Sequence, residues 1–266
     1  MRKLSVVLTM LLVAWLSSEA RAQKYDWEVQ TSDGQYLAQN QIDEQVESLL
    51  NLFSALVGGG FVNSAAVHSP GGIDVRLSGV FTPIPDEFKD IIPTVQDPLE
   101  GASYVPFAFL HGNVGLPANF EVFGRFFTLP IKGDPGGNVT LVGGGLKYAI
   151  LKDNLSTPGI IIVGGYQTIL VPEAFNFGTV STISAKAYIS KSLPFFTLYG
   201  GGGIDRTSLS LNIPGLPPEI NKDYDVNYPQ GTVGVTFEPI PFFKINVDGN
   251  FGKYTSFGLG AALSFR

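Results

Sequence analysis

The 266 residues include no cysteine, so neither disulfides nor thiolate metal sites hold this chain together. Histidine is nearly absent as well: His68 and His111 are the two, far apart in sequence, and each reads as a loop or turn residue. No serine sits in a G-x-S-x-G elbow, and no His/Asp/Glu cluster has the spacing of metal ligands. The expectation is a protein that is not an enzyme and holds no metal or cofactor. A His–Ser pair assembled across strands is the one catalytic arrangement left open. Charge is also sparse, at 15% of residues with a net of −6 and no basic run, which excludes nucleic acid as a partner.

What is present begins with an export signal. Arg2 and Lys3 precede an uncharged apolar core from Leu4 to Leu16, and Ala20-Arg21-Ala22 offers a small-x-small cleavage site. Thirteen apolar residues are too few for a spanning helix, so residues 1–22 read as a cleaved signal peptide and the mature chain as starting at Gln23. No cysteine stands there to take a lipid. Removal of Arg2, Lys3, Arg21 and Glu19 leaves 14 basic and 22 acidic residues, a net of −8.

One helical segment follows. Ile42, Val46, Leu49, Leu50, Phe53, Leu56 and Val57 recur every three or four residues, and Gly58-Gly59-Gly60 ends the pattern. Asp43, Glu44, Gln45 and Glu47 crowd its first turns, where negative charge suits the helix dipole. From there the period is two. Phe243, Ile245, Val247 and Phe251 oppose Lys244, Asn246, Asp248 and Asn250; Ile73, Val75, Leu77 and Phe81 oppose Asp74, Arg76, Ser78 and Thr82. Phe257, Leu259, Ala261, Leu263 and Phe265 alternate with small residues to the end. Further strands are predicted near 103–109, 119–129, 138–151, 158–171, 178–190, 195–211 and 230–238. Leu155 to Pro172 is uncharged over eighteen residues, yet Pro158, Gly159, Gly164-Gly165 and the run Ile160-Ile161-Ile162-Val163 make it a strand rather than a spanning helix.

The implied class is all-β: a closed antiparallel transmembrane β-barrel of about ten strands, within roughly eight to fourteen, after one N-terminal amphipathic helix. Three parts are expected: signal peptide 1–22, a segment 23–60 whose helix is a plug or periplasmic lid, and a barrel over 61–266. Short breaks at 191–194 and 238–241 alternate with longer ones at 83–102, 171–177 and 212–229, the outer-membrane pattern of short periplasmic turns and long external loops. A soluble secreted β-sandwich, burying the same apolar faces as a core, is the competing architecture.

On the polar faces the pattern sets Asp74, Arg76, Glu121, Arg125, Lys147, Lys186, Asp205, Lys244 and Asp248. Nearly balanced in sign, they read as a mutually paired polar core, with a selective pore as the alternative. Arg is expected to be tolerated at Asn246, which faces the lumen, and to be costly at Val247 or Ile245, which face out. Glycine clusters at 143–145, 164–165 and 200–203 lack the Lys and Ser/Thr of a phosphate loop. They relieve strand curvature, or they clear luminal space: Gly143 or Gly145, Gly165, Ser184 and Gly201 or Gly203 would lie near one level, where Val46, Leu50 and Phe53 of the helix could dock.

Two resemblances add to this reading. The ending Leu259-x-Ala261-x-Leu263-x-Phe265, here followed by Arg266, resembles the signal that outer-membrane barrels present to their assembly machinery. The opening helix, Phe61-Val62-Asn63-Ser64-Ala65, Thr82-Pro83-Ile84-Pro85, and Gly115-Leu116-Pro117 leading into Phe120-Glu121-Val122-Phe123-Gly124 resemble a family of uncharacterised bacterial outer-membrane proteins known as a domain of unknown function. More distantly, the Gly-Leu-Pro strand opening is similar to fatty-acid transporter barrels, which carry an N-terminal hatch. The resemblance implies a fold and defines no ligand residue. Ten strands enclose little more than their own side chains, so an open porin is not expected. The expected function is a narrow outer-membrane channel, transporter or binder of a small hydrophobic molecule. Its partners are outer-membrane lipid, the barrel-assembly machinery and that ligand; a non-transporting structural or partner-binding barrel is the alternative.

Overall fold

Alternating side chains become, in the computed structural model, ten antiparallel strands wound into a closed barrel. The structure describes residues 39–85, 103–131, 137–171, 178–212 and 222–265. The signal at 1–22, the side chain of Ile42 and Arg266 lie outside them. Helix α1 (Gln39–Val57) precedes β1 (Ile73–Pro83), β2 (Tyr104–Gly115), β3 (Phe120–Ile131), β4 (Gly137–Leu151) and β5 (Gly159–Leu170). Then come β6 (Gly178–Ser192), β7 (Phe196–Leu211), β8 (Asp223–Ile240), β9 (Phe243–Phe251) and β10 (Ser256–Phe265). Each strand pairs with its sequence neighbours, and β10 closes on β1 with Ile73 opposite Phe265 and Phe81 opposite Phe257.

Facing follows the two-residue period. Val247 is 50% exposed on the outside while Asn246 beside it is 3% exposed on the inside. Leu77, Leu110, Phe126, Ile162, Ile183, Leu198, Val233, Leu259 and Leu263 continue the apolar exterior around the wall. Water would not tolerate so large a contiguous apolar surface, and this is the architecture of outer-membrane barrels. The sandwich, which would bury these faces between two sheets, does not form.

Two strand limits differ from the sequence reading, for physical reasons. β2 runs on to Gly115 rather than stopping near 109, because His111 and Asn113 continue the alternation as buried polar positions. β8 begins at Asp223 rather than 230 because its pattern inverts near its start. Tyr224, Val226 and Tyr228 point inward, while Asp223, Asp225 and Asn227 point out. On β7, Leu209 and Leu211 likewise face in, and Ser210 Oγ donates to Asp223 at 2.6 Å. This is the pattern of a wall that has risen beyond the apolar band, wet outside and dry inside. The segment 212–229 therefore shrinks to a connection at 212–222. Connections 84–103, 132–136, 171–177, 212–222 and 252–255 share one end, the loop end. The turns 116–119, 152–158, 193–195 and 241–242 share the other, with the start of β1 and the close of β10. The contrast of long and short is thus carried by 84–103 and 212–222; 132–136 and 252–255 are shorter than the turn at 152–158.

α1 lies within the barrel. Val46 and Leu50 pack against Val180, Leu209, Leu211, Tyr224 and Val226; Leu52, Leu56 and Val57 pack against Val80, Val105, Phe107, Phe109 and Leu141. Lys222 Nζ and the Tyr224 hydroxyl meet Asp43 at 2.9 and 3.2 Å, which puts the first turns at the loop end. The expected single stripe is too narrow: Leu52, Ser54 and Ala55, off it, are as buried as Val46 and Leu50, because wall surrounds the last turns. Residues 58–72 then descend to the turn end, where Gly71 and Gly72 bond with Gly115 and β1 begins.

In a bilayer, Val247→Arg is expected to cost about 2–4 kcal/mol near the midplane, whereas Asn227→Arg, outward but beyond the band, should cost under about 0.5 kcal/mol. Urea unfolding in lipid vesicles measures both. Facing the lumen does not make Asn246 tolerant of Arg, as the sequence suggested: the position is packed beside Asp248 and Tyr199, and Arg there is expected to damage folding.

Candidate functional site

A helix leaves its last carbonyls without intrahelical partners, and its C-terminal end carries partial negative charge. α1 ends at mid-lumen, away from bulk water, so the wall must supply donors. Arg125 on β3 donates from Nη1 to Val57 O at 2.7 Å and from Nη2 to Gly59 O at 2.9 Å. Lys186 on β6 donates to Gly58 O at 2.6 Å, and Arg76 on β1 to Gly60 O at 2.8 Å and Phe61 O at 3.2 Å. Five consecutive carbonyls, Val57 through Phe61, are thus held by three buried cations. Glycine is required here. Gly60 has φ +65°, and a Cβ on Gly58 would lie 2.6 Å from the Ser54 carbonyl.

The cations are themselves held. Gln167 accepts from Arg125 at 2.9 Å and donates to Val57 O at 3.2 Å. Gln230 and Asp205 take Lys186 at 2.9 Å each, and the Ser184 hydroxyl donates to Asp205 at 2.6 Å. The Arg125 guanidinium lies 3.9 Å from the Phe109 ring centre and 4.6 Å from that of Phe61. One turn up α1, Ser54 Oγ and Thr207 Oγ1 are 2.7 Å apart.

Nearer the turn end lies a second group. Glu121 meets Lys147 at 2.8 Å, the His68 amide at 2.8 Å and His68 Nδ1 at 2.6 Å. Asp74 accepts from Asn113 at 2.9 Å and from Ser264. Asp248 accepts from Tyr199 at 3.0 Å and Asn250 at 2.7 Å. Lys244 reaches Glu238 at 3.7 Å. A vestibule of about 940 Å³ opens at this end, lined by Val67, His68, Asn119, Lys152, Glu238 and Lys244 among others.

All nine polar-face residues are buried, but they do not simply pair with one another. Lys147–Glu121 and Lys186–Asp205 do; Arg76 and Arg125 turn to backbone carbonyls, and Asp74 and Asp248 take neutral donors. His111 is not a loop residue: it is fully buried on β2, accepting from Arg76 at Nδ1 (3.0 Å). The glycine patch is also occupied differently. Gly145, Gly165 and Ser184 stand level, but the next position across is Asp205, not Gly201 or Gly203. The rings over Gly165 are Phe123 and Phe61, packed edge-to-face at 5.8 Å; Tyr188 lies over Gly201 and Gln167 over Gly143. Val46, Leu50 and Phe53 pack nearer the loop end, because the helix has stopped before the patch. Gln167, Gln230, Ser54, Thr207, Phe61 and Phe109 escaped the sequence reading. A glycine run ending a helix, with excess cations on luminal faces, was the available signal.

The fold defines a closed, plugged ten-stranded barrel of the outer-membrane type. The chain belongs to DUF6588, a family of unknown function, whose model matches residues 92–265. No curated protein matches it. Among solved structures, it is similar to Ail, the attachment invasion locus protein of Yersinia pestis, at 13% identity, 74% of this chain, 99% of that one and a TM-score of 0.34. The transport unit of autotransporter AIDA-I from Escherichia coli is 11% identical over 87% of this chain and all of that one, with a TM-score of 0.37. The outer membrane protease OmpT of Escherichia coli is 11% identical over 76% and 99%, with a TM-score of 0.38. None of these likenesses bears on ligand or activity.

Arg125→Ala strands two buried carbonyls and Gln167, and is expected to cost about 3–5 kcal/mol. Arg125→Lys keeps the charge but not the fork, and should recover only part of it. Denaturant midpoints and protease cleavage within 39–57 report the two effects.

Proposed function

We propose that this protein is an exported outer-membrane barrel, shut to water-soluble solutes, that accommodates a small apolar molecule in the loop-end half of its lumen. The observation that carries the reading is the division of the lumen. Below Gly58 buried ion pairs and hydrogen-bonded polar side chains are interleaved with the Phe61, Phe123, Ile161 and Tyr188 cluster; above it the lining is Val80, Val105, Phe107, Leu141, Val180, Leu209 and Val226, covered by α1 and without a buried ion pair among the described residues. That lining packs the apolar side of α1, and an apolar molecule exchanging with part of the helix would meet the same dry wall. The apolar exterior, continued through Leu259, Leu263 and Phe265 of β10, supports placement in the outer membrane by the assembly machinery, after removal of residues 1–22. No catalytic role is assigned: His68 Nδ1 is taken by Glu121 and His111 Nδ1 by Arg76.

The second reading is a non-transporting barrel that serves as a structural or partner-binding protein, favoured by how completely the helix end is capped. Reconstitution separates the two. In planar bilayers the wild type is expected to show no salt conductance, and Arg125→Ala to raise it. In vesicles the lipophilic dye N-phenyl-1-naphthylamine is expected to bind the barrel saturably. Stepwise wild-type conductance would overturn closure; absence of saturable dye binding would leave the second reading.

A further inference from the structure

The β2–β3 ladder is the shortest in the barrel, running only from Leu110 opposite Phe126 to Gly115 opposite Glu121. Beyond it, Tyr104–Phe109 pair with β1 and Phe127–Ile131 with β4, but among the described residues the two stretches do not pair with each other. The wall therefore has a seam toward the loop end. Continued register would set Ala108 opposite Thr128 and Pro106 opposite Pro130. A proline on each lip is a second, independent sign. Proline has no N–H, so each removes a donor that would be costly to leave unbonded beside lipid. The same loss denies a docking strand the ladder it would need, which disfavours a partner chain as occupant.

The seam is filled by rings. Phe107 stacks on Phe109 at 4.8 Å and meets Phe127 at 5.0 Å. Behind them lies the apolar cluster of Val80, Val105, Leu141, Leu52 and Leu56; outside, Leu110 and Phe126 are exposed on the barrel exterior. Phe109 also carries the Arg125 guanidinium, so the ring stack reaches from the seam to the helix cap.

We propose that the β2–β3 seam is a lateral portal, through which a slim apolar molecule such as a single hydrocarbon chain passes between the bilayer and the loop-end half of the lumen as Phe107 and Phe127 part. This rests on the apolar-ligand reading above, and two experiments keep them apart. Trp15 falls in the export signal, so Trp27→Phe leaves the mature chain free of tryptophan and a single reporter can be placed. In vesicles of brominated phosphatidylcholine, Phe127→Trp should be quenched nearly as strongly as lipid-facing Leu77→Trp. Quenching no greater than that of Tyr188→Trp, luminal in a fully paired wall, overturns the portal. The absence of cysteine permits the second test, an Ala108→Cys/Thr128→Cys staple, with folding checked by heat-modifiable migration. Dye exchange should be lost on oxidation and return on reduction. Exchange that persists in the cross-linked barrel overturns the portal and leaves the apolar-ligand reading standing. If wild type binds no dye, that reading falls and the portal falls with it; where dye binds, lumen-like quenching or exchange through the staple overturns the portal alone.

Discussion

A helix C-terminus buried inside a barrel is the constraint on which the rest of this structure depends. Five successive carbonyls point away from any helical partner, at a depth where leaving polar groups unbonded is expensive. Arg76, Arg125 and Lys186, from strands spread around the wall, converge on Val57–Phe61 and satisfy them. Three cations also match the negative end of the helix dipole, so charge and hydrogen bonding are met together. Asp205, Gln167 and Gln230 then exist to hold those cations, and Gly58–Gly60 to let the backbone come close enough. The cap links β1, β3 and β6 through the axis of the barrel, which a hydrogen-bonded wall by itself does not do.

The same junction divides the lumen. Above it, α1 needs apolar walls on every side, and β6–β8 supply them by reversing their pattern where they leave the apolar band. Below it, the descending segment 61–70 is pinned by Glu121 to His68, by Ser190 to Ala65 and by Thr236 to Asn63. Solutes meet a network of buried ion pairs and amides from the turn end and a helix from the other.

Most of the wall was legible because a membrane barrel writes its facing directly into the chain: Val247 out and Asn246 in follow from period two. Strand ends were less legible where the solvent changes. Tyr224, Val226 and Tyr228 look like loop residues when read with lipid outside, and become luminal once water is outside. The polar faces identified all nine buried charges, but period two says which side a residue faces, not what it meets. A strand pattern carries no record of a backbone carbonyl descending through the lumen, so Arg76 and Arg125 were matched with carboxylates they do not touch. Likewise, level positions on neighbouring strands were foreseen at Gly145, Gly165 and Ser184. The occupant was not, because where a helix stops along the axis is set by its length and its cap.

The central claim is that α1 sits in the lumen with its C-terminal end fixed at mid-barrel. Ser54 and Thr207 test it most directly, since their hydroxyl oxygens are 2.7 Å apart and the chain has no other cysteine to compete. In the folded Ser54→Cys/Thr207→Cys barrel, mild oxidation is expected to form a disulfide that alters migration only after heat unfolding, with both thiols closed to aqueous maleimide beforehand. Two thiols that react freely with maleimide in the folded barrel, and form no cross-link, would contradict the account.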